Sequence, residues 1–398
     1  MICTASRAAL GALPATLILC ALMSPAVAEE GPDERSLNSE HHALRVEAVA
    51  TGLEHPWGLA LLPDGRFLVT ERNPGQLRIG TAEGDLSDPV AGVPETFRYE
   101  GETGRSQAGL FDVKLDPEFA ENQQILLSYS RPTERGAALT VTRARLVEAD
   151  GSARLEDPEK VFVMKEDDQD SSGLHFGGRM AIHPEDGSIF LTIGDRRNIS
   201  RAQVTDDQAG AILRFDPEGN PHTDNMFNRE DADLQGDPFI HSIGHRNPQG
   251  LGFHPQTLEL WSNEHGPLGG DEVNRIEGGN NYGWPYLTGG VDYSGAPIGI
   301  GTEGEGFSSA VHIFEGTVAP SGLVFYQGDA FPEWQGSLLN GGLVSEGLVR
   351  LEIEDDEVTH EERIEIGRRI RDVQVDAEGA VWVITEHEDG EVLRLTPQ

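Results

Sequence analysis

One structural unit recurs along this chain, and it limits the possible folds more than any other feature. Each copy is a short apolar strand, a turn containing Pro, Asp or Gly, and a second apolar strand, and successive copies start about 50 to 70 residues apart. The copies begin at Trp57, Ala108, Gly178, Gln249, Ser321 and Ile370. Alternating apolar residues around such turns are typical of β-hairpins. Six hairpin units in series predict an all-β fold, a six-bladed β-propeller.

The segment before the first unit is predicted to close the ring. Residues 43–49 (ALRVEAV) have the pattern of a strand without a hairpin of its own, and such a strand can complete the sixth blade. The propeller is therefore expected to span residues 43–398 as one catalytic domain. An acidic, mobile leader is expected over residues 29–42. A β-sandwich or a pair of β domains is the alternative arrangement of these strands.

Residues 1–28 have the pattern of a secretion signal. Arg7 precedes an apolar run, and the Ala-Val-Ala sequence that ends at Ala28 fits a cleavage site. Both cysteines, Cys3 and Cys20, lie in this segment, so no disulfide is expected in the mature chain. No other apolar run is long enough to span a membrane. We therefore expect a periplasmic or secreted protein without stable membrane insertion.

The chain is strongly acidic, with 68 Asp and Glu residues against 30 Lys and Arg residues and a formal net charge of −38. Nucleic acid is excluded as a partner, because binding to phosphates needs a basic face. We interpret this acidity as an adaptation for solubility, as in a salty habitat, in preference to the recognition of a specific cationic partner.

Polar and turn-forming residues are densest in residues 240–286. Arg246 and Asn247 stand beside a Pro-Gln-Gly turn, and a Glu-His-Gly-Pro turn, an Asp-Glu pair and the sequence GGNNYGWP follow. Glycine and proline at this density impose unusual backbone angles and can direct main-chain carbonyls at a ligand. Carboxylates beside them suit a divalent cation that prefers oxygen. Two long polar segments, residues 194–237 and 288–309, are expected to form the rim of the site.

Three motifs in this order, GHRNPQGLGF, EHGPLGGDE with NNYGWP, and RIRDV, resemble those of the soluble quinone-dependent aldose dehydrogenases of the glucose/sorbosone dehydrogenase family. The resemblance covers nearly the whole mature chain. It implies oxidation of the C1 hydroxyl of an aldose to a lactone, by hydride transfer to pyrroloquinoline quinone (PQQ) with Ca²⁺ as a second cofactor. The physiological sugar, the electron acceptor, and the choice between monomer and homodimer are left open by it.

The resemblance also implies roles for individual residues. His175 would be the base that takes the C1 hydroxyl proton, as a neutral imidazole can, and Arg246 would polarise the quinone as it becomes negative. The residues implied to hold the quinone are Gln107, Arg246, Asn247, Thr317, Arg369 and Arg371. Arginines suit a tricarboxylate because they pair with carboxylates in a bidentate way. In the glucose dehydrogenase branch an aspartate often precedes the histidine, whereas this chain has Leu174.

Two calcium sites follow from the same resemblance. The carbonyls of Gly266 and Pro267, together with cofactor oxygens, would hold one ion that polarises the reacting carbonyl. Glu272 and the Tyr282 carbonyl, with Asp271, would hold a second, structural ion that ties down the loop. The alternative for the acidic pair is a solvated turn.

Two departures from the family pattern concern the cofactor and the substrate. Many members have a lysine for the cofactor carboxylates where this chain has Val344, so a compensating arginine or weaker binding is expected. Positions that are aromatic in some members, just before Thr317, are here His312 and Glu315, as in the branch with broad aldose specificity. The rival functions on this scaffold are a calcium-dependent sugar lactonase and a non-catalytic binding module.

Overall fold

The computed structural model describes residues 34–99, 106–229 and 235–398, and their regular structure is almost entirely β. The strands are β1 Glu34–Asn38, β2 Ala43–Leu53, β3 Pro56–Leu61, β4 Phe67–Glu71, β5 Gln76–Gly80, β6 Leu110–Leu115, β7 Gln124–Thr133, β8 Gly136–Ala149, β9 Ser152–Val163, β10 Met180–Ile182, β11 Ile189–Ile193, β12 Ala211–Phe215, β13 Ile240–Ile243, β14 Pro248–Phe253, β15 Leu260–Glu264, β16 Glu272–Ile276, β17 His312–Ile313, β18 Pro320–Phe325, β19 Leu338–Gly342, β20 Gly347–Glu354, β21 Glu357–Glu365, β22 Ile370–Val375, β23 Val381–Thr385 and β24 Gly390–Pro397. In the described ranges, helical structure is confined to α1, Phe119–Asn122, and to the 3₁₀ turns Glu166–Asp168, Arg201–Gln203 and Pro332–Trp334.

Hydrogen bonds group these strands into six antiparallel sheets, which are the blades of a β-propeller. The strand orders are β3-β4-β5, β6-β7-β8-β9, β10-β11-β12-β13, β14-β15-β16-β17, β18-β19-β20-β21 and β1-β2-β24-β23-β22. Each hairpin recognised in the sequence forms the first two strands of a blade. In the first, the turn of β3 and β4 requires glycine, because Gly65 has φ +86°. The predicted six-bladed propeller is confirmed.

The ring is closed by the pairing of β2 with the last strand, β24. Leu44 lies opposite Pro397 and Val46 lies opposite Leu395, so the first part of the chain completes the blade that the last part begins. The strand expected over residues 43–49 is therefore present, and it extends to Leu53. This pairing of the first and last parts of the chain through hydrogen bonds holds the ring of blades closed.

The expectation of a mobile leader was wrong for residues 34–38. This segment is β1, which pairs in register with β2 from Glu34 opposite Glu47 to Asn38 opposite Ala43. Two effects oppose mobility: β1 covers the outer edge of β2, and Leu37 packs against buried apolar residues of the last two blades. The proposed secretion signal lies outside the described residues.

Buried charges near the axis connect different blades. Arg179, which is 1% exposed, pairs with Asp112 at 3.2 Å and with Asp372 at 3.0 Å. Asp112 lies on β6 and Asp372 on β22, so one guanidinium ties three blades together. Removing one member of such a group would leave an unpaired buried charge, which is strongly destabilising.

Among the described residues, no helix has the length and apolar character needed to cross a membrane.

Candidate functional site

His175 lies in the loop before β10, in a conformation that its neighbours fix. Its φ is +50°, and the following Gly177 and Gly178 have φ +66° and +92°, values that favour glycine. The His175 N–H donates to Oε1 of Gln107 at 2.6 Å. Nδ1 of His175 is 2.6 Å from Oδ1 of Asp195, and the histidine is 6% exposed. The structure therefore holds the backbone of His175 through Gln107 and its imidazole ring through Asp195.

The buried His175–Asp195 pair is a neutral imidazole beside an ionised carboxylate. Burial lowers the pKa of His175 to about 4, although the hydrogen bond to Asp195 acts in the opposite direction. Burial acts to raise the pKa of Asp195, but the hydrogen bond to His175 and the charge of Arg246 outweigh it, so this pKa is below its usual value. An ionised Asp195 accepts the Nδ1 proton, which leaves the lone pair on Nε2. Nε2 can therefore accept a proton from a substrate.

The residues that follow β11 hold the His175–Asp195 pair in place through hydrogen bonds. Trp284 Nε1 donates to Oδ2 of Asp195 at 2.9 Å, and the Arg197 N–H donates to Oδ1 at 2.8 Å. The Arg196 guanidinium donates to the Leu174 carbonyl at 2.5 Å and so fixes the loop just before the histidine. Arg196 and Arg197 both have left-handed backbones, with φ +55° and +63°. Non-glycine residues adopt this region at a cost and often do so at functional sites.

Arg246 and Asn247, at the start of β14, approach the same site. Arg246 Nη1 donates to the His265 carbonyl at 2.9 Å, and Nη2 donates to the Tyr293 hydroxyl at 3.4 Å. Asn247 Oδ1 accepts the Gly177 N–H at 3.4 Å. The structure therefore brings the Arg-Asn pair next to His175: Arg246 and His175 line one small cavity, and Asn247 contacts the loop that follows His175.

A cavity of about 220 Å³ contains a cluster of arginines around one carboxylate. Glu386 accepts from Arg371 at 2.7 Å and from Arg369 at 3.0 Å, and its other oxygen is 2.7 Å from Arg72. Burial acts to raise the pKa of Glu386, but these three cations outweigh it and hold the pKa well below its usual range. Arg371 Nη1 also donates to Gln249 at 2.9 Å, whereas its buried Nε has no hydrogen-bond partner. Three guanidiniums against one carboxylate leave a net positive cavity.

The walls of this cavity come from every blade. The lining residues are Trp57, Arg72, Ser106, Gln107, Phe111, Phe176, Gly177, Gln249, His265, Ala319, Leu343, Arg369, Arg371 and Glu386. Of the residues implied to hold the quinone, Gln107, Arg369 and Arg371 are among them.

A second cavity of about 110 Å³ adjoins the first. It is lined by His175, Asp195, Arg197, Ile199, Arg246, Pro267, Trp284, Asp292, Tyr293 and Ile298. The two cavities share a wall, because His175 lines the second and the next two residues, Phe176 and Gly177, line the first. A cationic cavity therefore lies directly beside the one that contains the His–Asp pair.

The segment expected to hold a metal is tightly organised by Asp271. Its Oδ1 accepts the Gly266 N–H at 2.8 Å, and its Oδ2 accepts the N–H groups of Val318 and Ala319 at 2.8 and 2.7 Å. Gly266 cannot be replaced without rearrangement, since an added Cβ would lie 2.2 Å from the Gly269 carbonyl oxygen. Asp271 thus fixes the turn by accepting three backbone N–H groups.

Glu272 lies beside the side chains of Asn274, Glu264 and Asp271. Asn274 Nδ2 donates to Glu272 at 2.9 Å and to Glu264 at 3.4 Å, and the buried Oδ1 of Asn274 has no hydrogen-bond partner. Burial raises the pKa of Glu272 to about 8, and the charges of Glu264 and Asp271 add to the effect. Within the described chain, no three His, Cys, Asp or Glu side chains form a metal-binding group. Main-chain and amide oxygens would therefore have to complete any calcium site.

Tyr282 is connected to this oxygen cluster through two contacts. Its ring stacks on His245 with centroids 4.9 Å apart, and His245 Nδ1 is 2.9 Å from Oε1 of Glu264. Its hydroxyl donates to the Arg275 carbonyl at 2.5 Å. The tyrosine side chain therefore serves packing, and only its carbonyl is available for the role predicted from the sequence.

Several residues singled out in the sequence lie away from the two cavities. Thr317 and Val344 are exposed and line neither of them. His312 bonds to Glu361 at 2.8 Å, and Glu315 is exposed. The compensating arginine expected because of Val344 has a candidate in Arg72, which points into the larger cavity.

Sequence reasoning missed the residues that complete the site: Arg72, Asp195, Arg196, Arg197, Trp284, Tyr293 and Glu386. For four of them a signal was present. The sequence GDRRN places Asp195, Arg196 and Arg197 just after a strand, and the sequence TERN places Arg72 just after β4. Arginines beside strand ends are a signal in a chain that is otherwise strongly acidic. The pairing of Asp195 with His175 across 20 positions has no local signal.

A six-bladed propeller with a cationic cavity beside a buried His–Asp pair is suited to binding an anionic cofactor and moving a proton. The profile of the glucose/sorbosone dehydrogenase family matches residues 53–394. Aldose sugar dehydrogenase YliI of Escherichia coli (strain K12) is 37% identical over 360 residues, which cover 89% of this chain and 93% of that protein. Quinoprotein glucose dehydrogenase B of Acinetobacter calcoaceticus is 32% identical over 275 residues, which cover 63% of this chain and 54% of that protein.

Solved structures agree with the sequence comparison. The soluble aldose sugar dehydrogenase of Escherichia coli in its apo-form matches with a TM-score of 0.81 at 36% identity, over 89% of this chain and 100% of that one. The chain belongs to the glucose/sorbosone dehydrogenase family, and it is an oxidoreductase of the sugar dehydrogenase type.

Proposed function

We propose that this protein is a PQQ-dependent aldose dehydrogenase that oxidises the C1 hydroxyl of sugars to the lactone. The observation that carries the proposal is the contact between a cavity of three arginines and a cavity that contains a neutral, carboxylate-oriented histidine. PQQ, when bound, would accept the hydride from C1. Relatives named as an aldose sugar dehydrogenase and as a quinoprotein glucose dehydrogenase support this reading.

The larger cavity fits a ligand with several carboxylates. Arg72, Arg369 and Arg371 share the single carboxylate of Glu386, so an anionic ligand would find unbalanced positive charge there. The unpartnered Nε of Arg371 is a buried donor without an acceptor, and such groups are costly unless a ligand or water satisfies them. These residues would hold the carboxylates of PQQ.

His175 would act as the general base. Its Nε2 is free to take the C1 hydroxyl proton, and Asp195 stabilises the imidazolium that this transfer produces. Asp195 also fixes the ring, since its two oxygens accept from the imidazole, from Trp284 and from the Arg197 N–H. Asp195, which lies 20 positions after His175, thus orients the imidazole, a role that Leu174 cannot fill.

Arg246 would stabilise negative charge at the boundary of the two cavities. Its guanidinium is held by the His265 carbonyl, and Nη2 makes only a long bond of 3.4 Å to Tyr293. A fixed cation beside a reacting centre stabilises charge that develops there without reorganisation. Asn247 fixes the loop of Gly177 at the same boundary.

Calcium fits two places. Gly266 and Pro267 lie on a turn that Asp271 fixes, and none of the hydrogen bonds of the described residues ends on their carbonyl oxygens, so both are available to a cation with cofactor oxygens. Glu272 and Asn274 present a carboxylate with a raised pKa and an unpartnered oxygen. A bound Ca²⁺ would satisfy both, and the Tyr282 carbonyl would complete the set.

Reconstitution tests the proposed function. Apo-protein is mixed with PQQ and Ca²⁺ and assayed with several aldoses for dye reduction, and binding is followed separately by quenching of Trp57, which lines the larger cavity. We expect turnover that needs both cofactors. Arg371→Ala should weaken PQQ binding by about tenfold or more, because it leaves a ligand carboxylate unpaired.

Two outcomes would contradict the proposal. A folded protein that binds no PQQ would exclude the dehydrogenase function. Consumption of a sugar lactone with Ca²⁺ alone, without dye reduction, would establish a lactonase instead. We propose in addition that the protein is exported and works in the periplasm or outside the cell, as the sequence of residues 1–28 suggests.

A further inference from the structure

Tyr293 is a large aromatic side chain held at the mouth of the smaller cavity. It is 60% exposed, yet it lines the same cavity as His175 and Arg246. Its hydroxyl accepts from Arg246 Nη2 at 3.4 Å, and its ring centroid is 5.6 Å from the guanidinium carbon of Arg197. Ile199, which is 47% exposed, lines the same cavity, and exposed apolar groups that lie together mark binding sites more often than single ones do.

The loop that carries Tyr293 is fixed on both sides of the ring. Leu268 and Val291 exchange two backbone hydrogen bonds of 2.9 and 3.2 Å. The Ser294 N–H and hydroxyl donate to Oδ1 of Asp292 at 2.8 and 2.6 Å, which closes a tight turn around the tyrosine. An aromatic platform that is already fixed loses little conformational entropy when a ligand packs on it.

The neighbours of the ring combine apolar and charged groups. Ile199 and Ile298 line the cavity beside Tyr293, and Arg197 and Asp292 provide a cation and a carboxylate at the same mouth. A pyranose ring has matching surfaces, because its C–H groups form an apolar face and its hydroxyls lie around the edge. Apolar and aromatic walls with a few placed polar groups are typical of small-molecule sites.

We infer that Tyr293 and Arg197 position the sugar: the ring of Tyr293 packs on the C–H face of an aldopyranose, and Arg197 donates to hydroxyls remote from C1. This inference rests on the proposed function, because it orients the pyranose with C1 toward His175. It assigns the selection among aldopyranoses to Tyr293 and Arg197. Open-chain polyols, which lack such a face, should be poor ligands.

The test compares Tyr293→Ala, Tyr293→Phe and a matched control in the quinone-loaded enzyme. We expect Tyr293→Ala to raise KM for glucose about tenfold, a size that fits the loss of one aromatic contact, while kcat and PQQ affinity stay within about twofold of wild type. Tyr293→Phe keeps the ring and should keep KM near wild type. Tyr286→Ala removes a neighbouring tyrosine that is 52% exposed and lines neither cavity, so it should change nothing.

An unchanged KM in Tyr293→Ala would overturn the inference, and so would a Tyr293→Phe variant as impaired as Tyr293→Ala, because the hydroxyl would then matter instead of the ring. Glucose binding without turnover is measured by calorimetry in quinone-loaded His175→Ala protein, with and without Tyr293→Ala. Equal glucose affinities there would also overturn it. A wild-type enzyme that binds glucose through Tyr293 but does not oxidise it would defeat the proposed function alone.

Discussion

At the scale of single residues, the site depends on contacts between side chains that are far apart in the sequence. His175 could be recognised from its motif, but its chemistry depends on Asp195, which orients it, and on Gln107, which bonds its N–H. The residue before the histidine, Leu174, cannot orient the imidazole, so the local sequence gives no orienting group for the base. The contact that replaces it joins the segment before β10 to the segment after β11 within one blade, and nothing in the composition of either segment indicates it.

Replacing the base separates chemistry from binding. His175→Ala should reduce kcat by at least about a hundredfold, the usual range for loss of a general base, while PQQ affinity stays near wild type because the arginine cavity is intact. Stopped-flow reduction of the bound quinone by glucose measures the step directly. His360→Ala, at a partly exposed histidine on the outer strand β21, is the control. Wild-type turnover in His175→Ala would mean that another residue takes the proton.

The pH profile should report the lowered pKa of His175. Only the neutral imidazole can accept a proton, and burial lowers this pKa to about 4, so kcat/KM should stay level from neutral pH to about pH 5 and fall below about pH 4. Asp195→Asn removes a charge that raises the pKa. It should therefore move the acid limb to still lower pH and also slow the reaction. An acid limb at the unperturbed value, near pH 6.5, would contradict a buried, neutral base.

At the scale of structural elements, the loops between strands carry the chemistry and the strands hold them in place. The sequence predicted that the glycine-rich tract between β15 and β16 belongs to the site, and the structure places His265 and Pro267 of this tract in the walls of the two cavities. Its internal arrangement was not predictable. The carboxylate oxygens of Asp271 accept hydrogen bonds from three backbone N–H groups. The Asn274 side chain donates to both Glu272 and Glu264, and Glu264 was not among the predicted site residues.

Chelation should destabilise this loop and the fold with it. A ligand at about a hundred times its dissociation constant stabilises the native state by about 2.7 kcal/mol, so EDTA should lower Tm by about 3 to 4 °C in a chain of this size. Glu272 has its pKa raised to about 8. Without calcium, the native state therefore holds a proton that the unfolded state releases above about pH 4.5, and stability falls as pH rises toward 8. The EDTA effect should be larger at pH 8 than at pH 6.

Two variants make this experiment specific. In the quinone-free protein, Glu272→Gln should remove the EDTA effect, because it removes the carboxylate that binds the structural ion. Glu305→Gln, at an exposed position, should retain it. If wild type has the same Tm with and without EDTA at both pH values, the structural calcium site is excluded.

At the scale of the whole molecule, the fold could be predicted from the sequence because the hairpin unit repeats, and each copy forms the first two strands of one blade. Periodicity could also identify β2 as the closing strand, since it lacks a hairpin partner in the sequence and finds one in β24. Periodicity could not reveal β1. Its five residues alternate weakly, and the free edge of β2 that they cover exists only after the ring has closed.

The net charge of −38 should make stability depend on salt in a predictable direction. Sixty-eight acidic residues against 30 basic ones leave repulsion that opposes the compact state, whereas exposed ion pairs contribute only about 0 to 1 kcal/mol each. Raising NaCl from about 0.01 to about 1 M shortens the Debye length from about 30 to about 3 Å, so Tm should rise. Choline chloride should act similarly, because screening does not depend on binding at the metal sites. Near the isoelectric point of about 4.5 the salt effect should nearly vanish. A Tm that falls with salt at pH 7 would show instead that attraction between surface ion pairs outweighs the repulsion.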